Sequence, residues 1–126
     1  MDGVVLDESV LERLRGRYPR FHDMTYLFVL SALHHVLQQL PEPRHISGAE
    51  LAGGVRDLAL EKFGPMARTV LEHWGIHETG DVGDVVFALV EVGILIKQEE
   101  DTRADFEGVY EFDEAFRSPF VRRREA

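Results

Sequence analysis

The six histidines are the residues of this sequence that a metal-dependent enzyme would use. They are scattered along the chain, at His22, His34, His35, His45, His73 and His77. Two of them are adjacent in a predicted helix, where neighbouring side chains point about 100° apart and cannot chelate one ion together. No HExxH motif is present. If a metal site forms, we expect His22, His35 and His45 to hold it; the alternative places the histidines at the surface or at the edge of the core.

Hydroxyl, glycine and carboxyl groups provide no catalytic motif. None of the serines has the glycine-flanked context of a nucleophile elbow. Gly53-Gly54 lies inside a predicted helix without a following Lys-Ser or Lys-Thr, so it is not a phosphate-binding loop. The acidic residues Glu99, Glu100 and Asp101 are interpreted as a solvated loop, with a weak Mg²⁺ or Ca²⁺ site as the alternative. We therefore predict no cofactor and no catalytic site.

Length and composition restrict the class of protein. The chain has 126 residues, a formal net charge of −9 and no cysteine. The lack of cysteine excludes disulfides and thiolate metal sites and suits a reducing cytoplasm. The length allows one compact domain, predicted over 1–120 and followed by a basic tail over 121–126. No apolar stretch is long enough to cross a bilayer, and the start lacks the basic region of a signal peptide, so we expect a cytoplasmic protein without a membrane partner.

Charge is unevenly distributed along the chain. The stretch Glu78–Glu114 contains twelve acidic and two basic residues. Two basic spots flank this stretch. The C-terminal basic spot is Arg122–Arg124, and the N-terminal basic spot consists of Arg13, Arg15, Arg17 and Arg20. Each spot is either a solvated surface or, if the fold brings the two together, a contact surface for nucleic acid.

Apolar periodicity and capping residues predict five helices. They are Asp7–Arg15, Met24–Leu40, a helix that begins at Ser47 and ends at Gly64, Pro65–Trp74, and Asp81–Val92. The third begins with a capping box formed by Ser47 and Glu50. Its internal glycine pair predicts the close approach of another backbone. The fifth is rich in β-branched residues, and a strand is the competing interpretation.

The end of the sequence has the alternation of short strands. Ile94–Gln98 and Val109–Phe112 predict a β-hairpin around the charged loop Glu99–Gly108. Helices followed by such a hairpin are the order of a winged helix. We therefore predict a mainly α fold with a small β-hairpin, in which N-terminal helices (1–43) precede a winged-helix-like half (44–116). A fold of this kind does not fix the function.

Electrostatics argue against DNA as the partner of this winged-helix-like half. A DNA reader needs Lys and Arg on its recognition helix and wing, because phosphate neutralisation provides most of the affinity. Here the recognition helix would be Asp81–Val92 and the wing would contain the loop Glu99–Gly108, and both are acidic. DNA binding through the wing is therefore disfavoured, and a basic protein partner is expected. The predicted partner-binding carboxylates are Asp81, Asp84, Glu91, Glu99, Glu100 and Asp101.

Three further residues are candidate partner contacts. Phe28 broadens the apolar stripe of the helix Met24–Leu40, which is therefore either central or offers its second side to a partner, including a second copy of the chain. Arg44 and His45 lie just before a helix N-terminus, where cations gain nothing from the helix dipole. They either pair with acids such as Glu42 or Glu50, or contact an acidic partner segment.

Several short phrases resemble the Minf-type family, a group of small bacterial proteins named after a genome locus tag. They extend from Tyr18 to Phe120. Two positions depart from the family pattern, which has an acid at Ser31 and an asparagine at Ala88. The resemblance implies a cytoplasmic bacterial protein and transfers no activity, cofactor or catalytic residue. The phrases are Tyr26-Leu27-Phe28-Val29, Arg44-His45-Ile46-Ser47-Gly48, Phe63-Gly64-Pro65-Met66, Val70-Leu71 with Trp74-Gly75-Ile76, Asp81-Val82-Gly83 with Val86-Phe87, and Phe112-Asp113 with Phe116.

These observations predict a non-catalytic protein-interaction or regulatory module. It would bind a protein through its acidic face or through the apolar surface of its central helix, and a homodimer through that helix is a further expectation. One alternative is a nucleic-acid-associated protein that uses the basic spots. The other is a metal-dependent enzyme that uses the histidines.

Overall fold

The structure, a computed structural model, describes residues 6–96 and 103–116. Within these ranges the chain forms helices and turns and contains no strand. The helices are α1 (Glu8–Arg17), α2 (Asp23–Gln38), α3 (Gly48–Phe63), α4 (Ala67–His73), α5 (Thr79–Glu91) and α6 (Phe112–Ala115). Short 3₁₀ turns lie at Gly64–Met66 and Arg103–Phe106.

Helix α2 is the centre of the fold. It packs most extensively against α3 and also against α5. The approach to α3 is close at Gly54, where an added Cβ would overlap the Val36 side chain and lie 3.5 Å from the carbonyl oxygen of Ala32. Gly53 has no such neighbour. The close approach predicted from the glycine pair is therefore confirmed at Gly54.

Backbone and hydroxyl hydrogen bonds connect the start of α2 to the end of α4. The Trp74 carbonyl accepts from the His22 N–H at 3.1 Å and from the Thr25 hydroxyl at 2.7 Å. The His22 Nδ1 atom accepts from the Met24 N–H at 3.0 Å and caps α2. The buried apolar residues of the described ranges, apart from Ala52, form one cluster, to which both the N-terminal helices and the later elements contribute.

Residues 103–116, here called the C-terminal strap, cross α3, α4 and α5. Phe106 is buried against Gly83, which has no side chain to obstruct the ring. The Val109 N–H donates to the Thr79 hydroxyl at 3.1 Å, and the Tyr110 hydroxyl donates to the Ala52 carbonyl at 2.9 Å. These contacts make the strap part of the packed fold.

The predicted β-hairpin, and with it the winged helix, is wrong. The N–H groups of Ile94 and Leu95 both return to the carbonyl of Leu89, so residues 94–96 form a turn after α5. The alternation in 109–112 arises because the rings of Tyr110 and Phe112 pack inward, with centroids 6.1 Å apart. Packing of two aromatic rings therefore produces the strand-like period without a strand. Residues 97–102 of the predicted hairpin lie outside the described residues.

The helix predicted over Asp81–Val92 is confirmed, but it begins two residues before Asp81. The helix begins at Thr79, and Asp81 lies in its first turn. The Asp81 carboxylate accepts from the N–H groups of His77 at 2.8 Å and Glu78 at 3.2 Å. It therefore stabilises the turn that precedes the helix from a position inside it.

Candidate binding groove

The described carboxylates of the predicted acidic face bind arginines of the same chain. Arg20 pairs with Asp81 at 3.0 Å and also with Asp84, whose other oxygen lies 2.9 Å from Arg103. Asp81 is only 9% exposed, whereas about half of the Arg20 side chain is in contact with solvent. Glu91, further along α5, pairs with Arg17. The described part of the acidic face is therefore occupied by arginines of the same chain.

Arginines of the N-terminal basic spot are used in contacts within the chain, and two of them, Arg17 and Arg20, bind the carboxylates of α5. The Tyr18 hydroxyl also donates to Glu91, and this hydrogen bond raises the pKa of Tyr18. Arg13 donates to the Val92 carbonyl at 3.3 Å, and Arg15 binds Glu8 and Asp23. The hydrogen bond from Arg15 lowers the pKa of Asp23. A nucleic acid that bound this spot would have to compete with these contacts. The C-terminal basic spot lies outside the described residues.

Phe28 is fully buried, with its ring centroid 5.7 Å from that of Phe63 and 5.6 Å from that of Trp74. It therefore belongs to the core and presents no surface to a partner in this conformation. Glu99, Glu100 and Asp101, the remaining acidic candidates, lie outside the described residues.

Arg44 pairs with an acid of the same chain, as the first interpretation of this residue predicts. Its guanidinium meets both carboxylate oxygens of Glu50, at 3.1 and 2.8 Å, and also donates to the His45 carbonyl at 3.1 Å. Glu50 simultaneously accepts from the Ser47 N–H at 2.8 Å, which completes the predicted capping box. The hydrogen bonds from Arg44 and Ser47 lower the pKa of Glu50 to about 2.

Arg44 and His45 border a cavity whose lining is mostly apolar. This cavity, here called the apolar groove, has a volume of about 170 Å³. Its walls come from α2, from the segment that leads into α3 together with the first turn of α3, from α5 and the turn after it, and from the strap. The polar end contains Arg44, His45, Ser47 and Gly48; the apolar lining consists of Leu33, Leu37, Ile46, Leu51, Val86, Phe87, Val90, Leu95, Ile96 and Phe106.

Large apolar side chains extend into solvent beside this groove. Leu37 is 41% exposed and Ile96 is 85% exposed, and both line the groove. Two comparable side chains, Leu60 at 40% and Met66 at 54%, are exposed on elements that do not line it. The groove therefore combines a concave apolar surface with a projecting apolar side chain.

The sequence indicates only part of this groove. The apolar surface of the central helix provides Leu33 and Leu37, one turn apart. Val86 and Val90 are also one turn apart, on α5, and they form the wall opposite α2. Their spacing is the sequence signal for this second wall. Sequence periodicity does not show that the two stripes face one space, because that depends on how α2 crosses α5.

The histidine set considered for a metal does not come together. His22 caps the start of α2 and His35 lies near its end, so the helix rise separates them by roughly 20 Å. Within residues 6–96 and 103–116, no group of three or more His, Asp or Glu side chains is placed to hold a metal ion. His34 and His35 instead border a polar cavity together with Glu61 and Lys62.

None of the helices in the described ranges combines the length and the apolar content that crossing a bilayer requires. Comparisons of the chain with protein-family models, with curated proteins and with solved structures find no match. The resemblance to the Minf-type family therefore stays a prediction, and the groove must be interpreted from its own geometry.

Proposed function

We propose that this chain is a non-catalytic protein-interaction module that binds an apolar protein surface in the apolar groove. The observation that carries the proposal is the joint presence of the groove and the exposed side chains of Leu37 and Ile96 beside it. Contiguous exposed apolar surface of this kind marks interaction sites in soluble proteins.

The physical driving force is the removal of this apolar surface from water. Burial contributes about 25 cal/mol per Å² of apolar area, so covering two large aliphatic side chains and the groove between them favours association. The polar end is compatible with an interface rim, because the charge of Arg44 is balanced by Glu50.

The projecting side chain favours a protein over a small molecule as the occupant. A small ligand is enclosed by the concave part of a pocket. It would leave Ile96, which is 85% exposed, largely in contact with water. A protein surface can fill the groove and cover the projecting side chain in the same contact.

Site-specific photo-cross-linking in cells of the source organism tests this proposal. A photo-reactive phenylalanine analogue would replace Leu37 in one variant and Leu60, which is equally exposed outside the groove, in the control. We expect one discrete protein adduct from position 37, its loss when Ile96→Glu is added, and no matching adduct from position 60. Equal labelling from both positions, or an adduct insensitive to Ile96→Glu, would refute the proposal.

A further inference from the structure

We propose that the occupant of the apolar groove is a second copy of this chain, in a two-fold dimer in which Ile96 of each copy enters the groove of the other. The inference rests on the proposed function and names its partner. It follows from two features of the groove, its shape and its charge.

Shape provides the first argument. A two-fold interface uses the same patch on both copies, so the patch must contain a projection and a matching depression side by side. The apolar groove is the depression, and Ile96 at its edge is the projection, 85% exposed. Rotation by 180° about an axis between them places each projection over the opposite depression. A flat or purely concave surface would not have this property.

Charge provides the second argument. The chain has a net charge of −9, so most of its surface repels a second copy. The described lining of the groove contains no carboxylate, and its arginine, Arg44, is already paired with Glu50. Contact between the described lining residues of two copies therefore brings no two carboxylates together.

The same observation disfavours a basic protein as the occupant of the groove. A basic partner gains affinity by contacting carboxylates. The described lining of the groove offers no carboxylate for such a contact, and Arg44 at its polar end already binds Glu50. Salt dependence separates the two occupants: screening weakens the repulsion between two copies with like net charge, whereas it weakens the attraction of a basic partner.

Sedimentation velocity of the purified chain over a wide concentration range is the first test. We expect a monomer–dimer equilibrium without larger species, shifted toward the dimer by added NaCl. Ile96→Glu should weaken the dimer at least about tenfold, because it places a charge in an apolar contact. Met66→Glu, an exposed position outside the groove, should leave the dimer intact. The circular dichroism of both variants should match that of the unsubstituted chain.

Disulfide cross-linking then tests the geometry, because the chain has no cysteine of its own. A mixture of Leu37→Cys and Ile96→Cys chains should form a covalent dimer on mild oxidation, whereas Leu60→Cys with Ile96→Cys should not. The double variant Leu37→Cys/Ile96→Cys should stop at dimers, since a two-fold contact closes on itself. A ladder of larger species would indicate a head-to-tail contact and refute the two-fold arrangement.

The remaining outcomes separate this inference from the proposed function. A chain that stays monomeric while position 37 cross-links a different protein in cells overturns the second copy as occupant and supports the module. A monomer with no adduct at position 37 overturns both. A dimer that Ile96→Glu leaves unchanged uses another surface, and this result also overturns the inference.

Discussion

Glu50 performs two roles with one carboxylate at the residue scale. It accepts from the Ser47 N–H in the capping box and it pairs with both terminal nitrogens of Arg44. Both contacts favour the ionised form, so the pKa falls from 4.5 to about 2. Because this pKa is lower in the folded than in the unfolded chain, the ionised carboxylate stabilises the fold above pH 4.5. That stabilisation is lost as the pH falls toward 2.

Glu50→Gln is therefore expected to lower the free energy of unfolding near neutral pH and to have a smaller effect in acid. The amide can keep the capping-box hydrogen bond but loses the ion pair with Arg44, which is partly exposed to solvent. We expect a loss of about 0.5 kcal/mol at pH 7. The difference from the unsubstituted chain should close between about pH 4.5 and pH 2, measured by urea unfolding at several pH values. Glu42→Gln, at an exposed carboxyl in the segment that precedes α3, provides the control; a difference that persists to pH 2 would contradict the assignment.

At the scale of the elements, the crossing of α2 and α3 depends on one glycine of a pair. A Cβ at Gly54 would overlap Val36, whose branched side chain has few alternative rotamers. The nearest atom to a Cβ at Gly53 is a guanidinium nitrogen of Arg56, 3.9 Å away. Of the two adjacent glycines, Gly53 therefore has room for a side chain and Gly54 does not.

The two alanine substitutions should have opposite effects on stability. Gly54→Ala is expected to lower the free energy of unfolding by about 1–2 kcal/mol, because overpacking exceeds the gain in helix propensity. Gly53→Ala is expected to raise it by up to about 1 kcal/mol, because alanine restricts the unfolded chain and fits the helix. Thermal unfolding monitored by circular dichroism measures both. A Gly54→Ala protein as stable as Gly53→Ala would mean that α2 and α3 do not cross closely at this position.

Local signals account for the elements that the sequence predicts correctly. The capping box at Ser47 and the apolar spacing of α2 act within a few residues, and α3 and α2 form where these signals predict. Pro65 instead lies in the 3₁₀ turn Gly64–Met66, and α4 begins after it at Ala67. The hairpin fails because its only signal is a two-residue period. In Val109–Phe112 this period reflects the burial of Tyr110 and Phe112 against α3 and α4, a long-range contact that periodicity does not reveal.

The acidic face and the apolar groove are harder to predict than the helices, because both depend on contacts between residues that are far apart in the sequence. Asp81, Asp84 and Glu91 are conspicuous as charges, but the sequence does not show that Arg17 and Arg20 fold back onto them. The groove is assembled from four separate parts of the chain. Its best local signal, the pair Leu33 and Leu37, predicts an apolar surface on the central helix without identifying the walls opposite it.

At the scale of the whole molecule, the strap and the N-terminal helices stabilise the same core from different ends of the chain. Arg103 connects the strap to α5 through Asp84, which also binds Arg20 in the segment between α1 and α2. Phe106, 4% exposed, belongs to the apolar cluster to which α2 also contributes. The division into halves at residue 43 therefore does not correspond to separate cores within the described ranges.

One shared core predicts that removing a strap side chain destabilises every element together. Phe106→Ala leaves a cavity beside Gly83 and should lower the free energy of unfolding by about 3 kcal/mol. The chain has a single tryptophan, Trp74, which contacts Phe28 on α2 and Phe63 on α3, so its fluorescence reports on elements other than the strap. We expect the urea transition seen by fluorescence to coincide with that seen by circular dichroism, and both to shift equally in the variant.

Leu60→Ala, at a position 40% exposed, should shift neither by more than a small amount. If Phe106→Ala changed only the circular dichroism signal, the strap would unfold on its own. The groove that Phe106 lines would then lose one wall before the rest of the molecule unfolded.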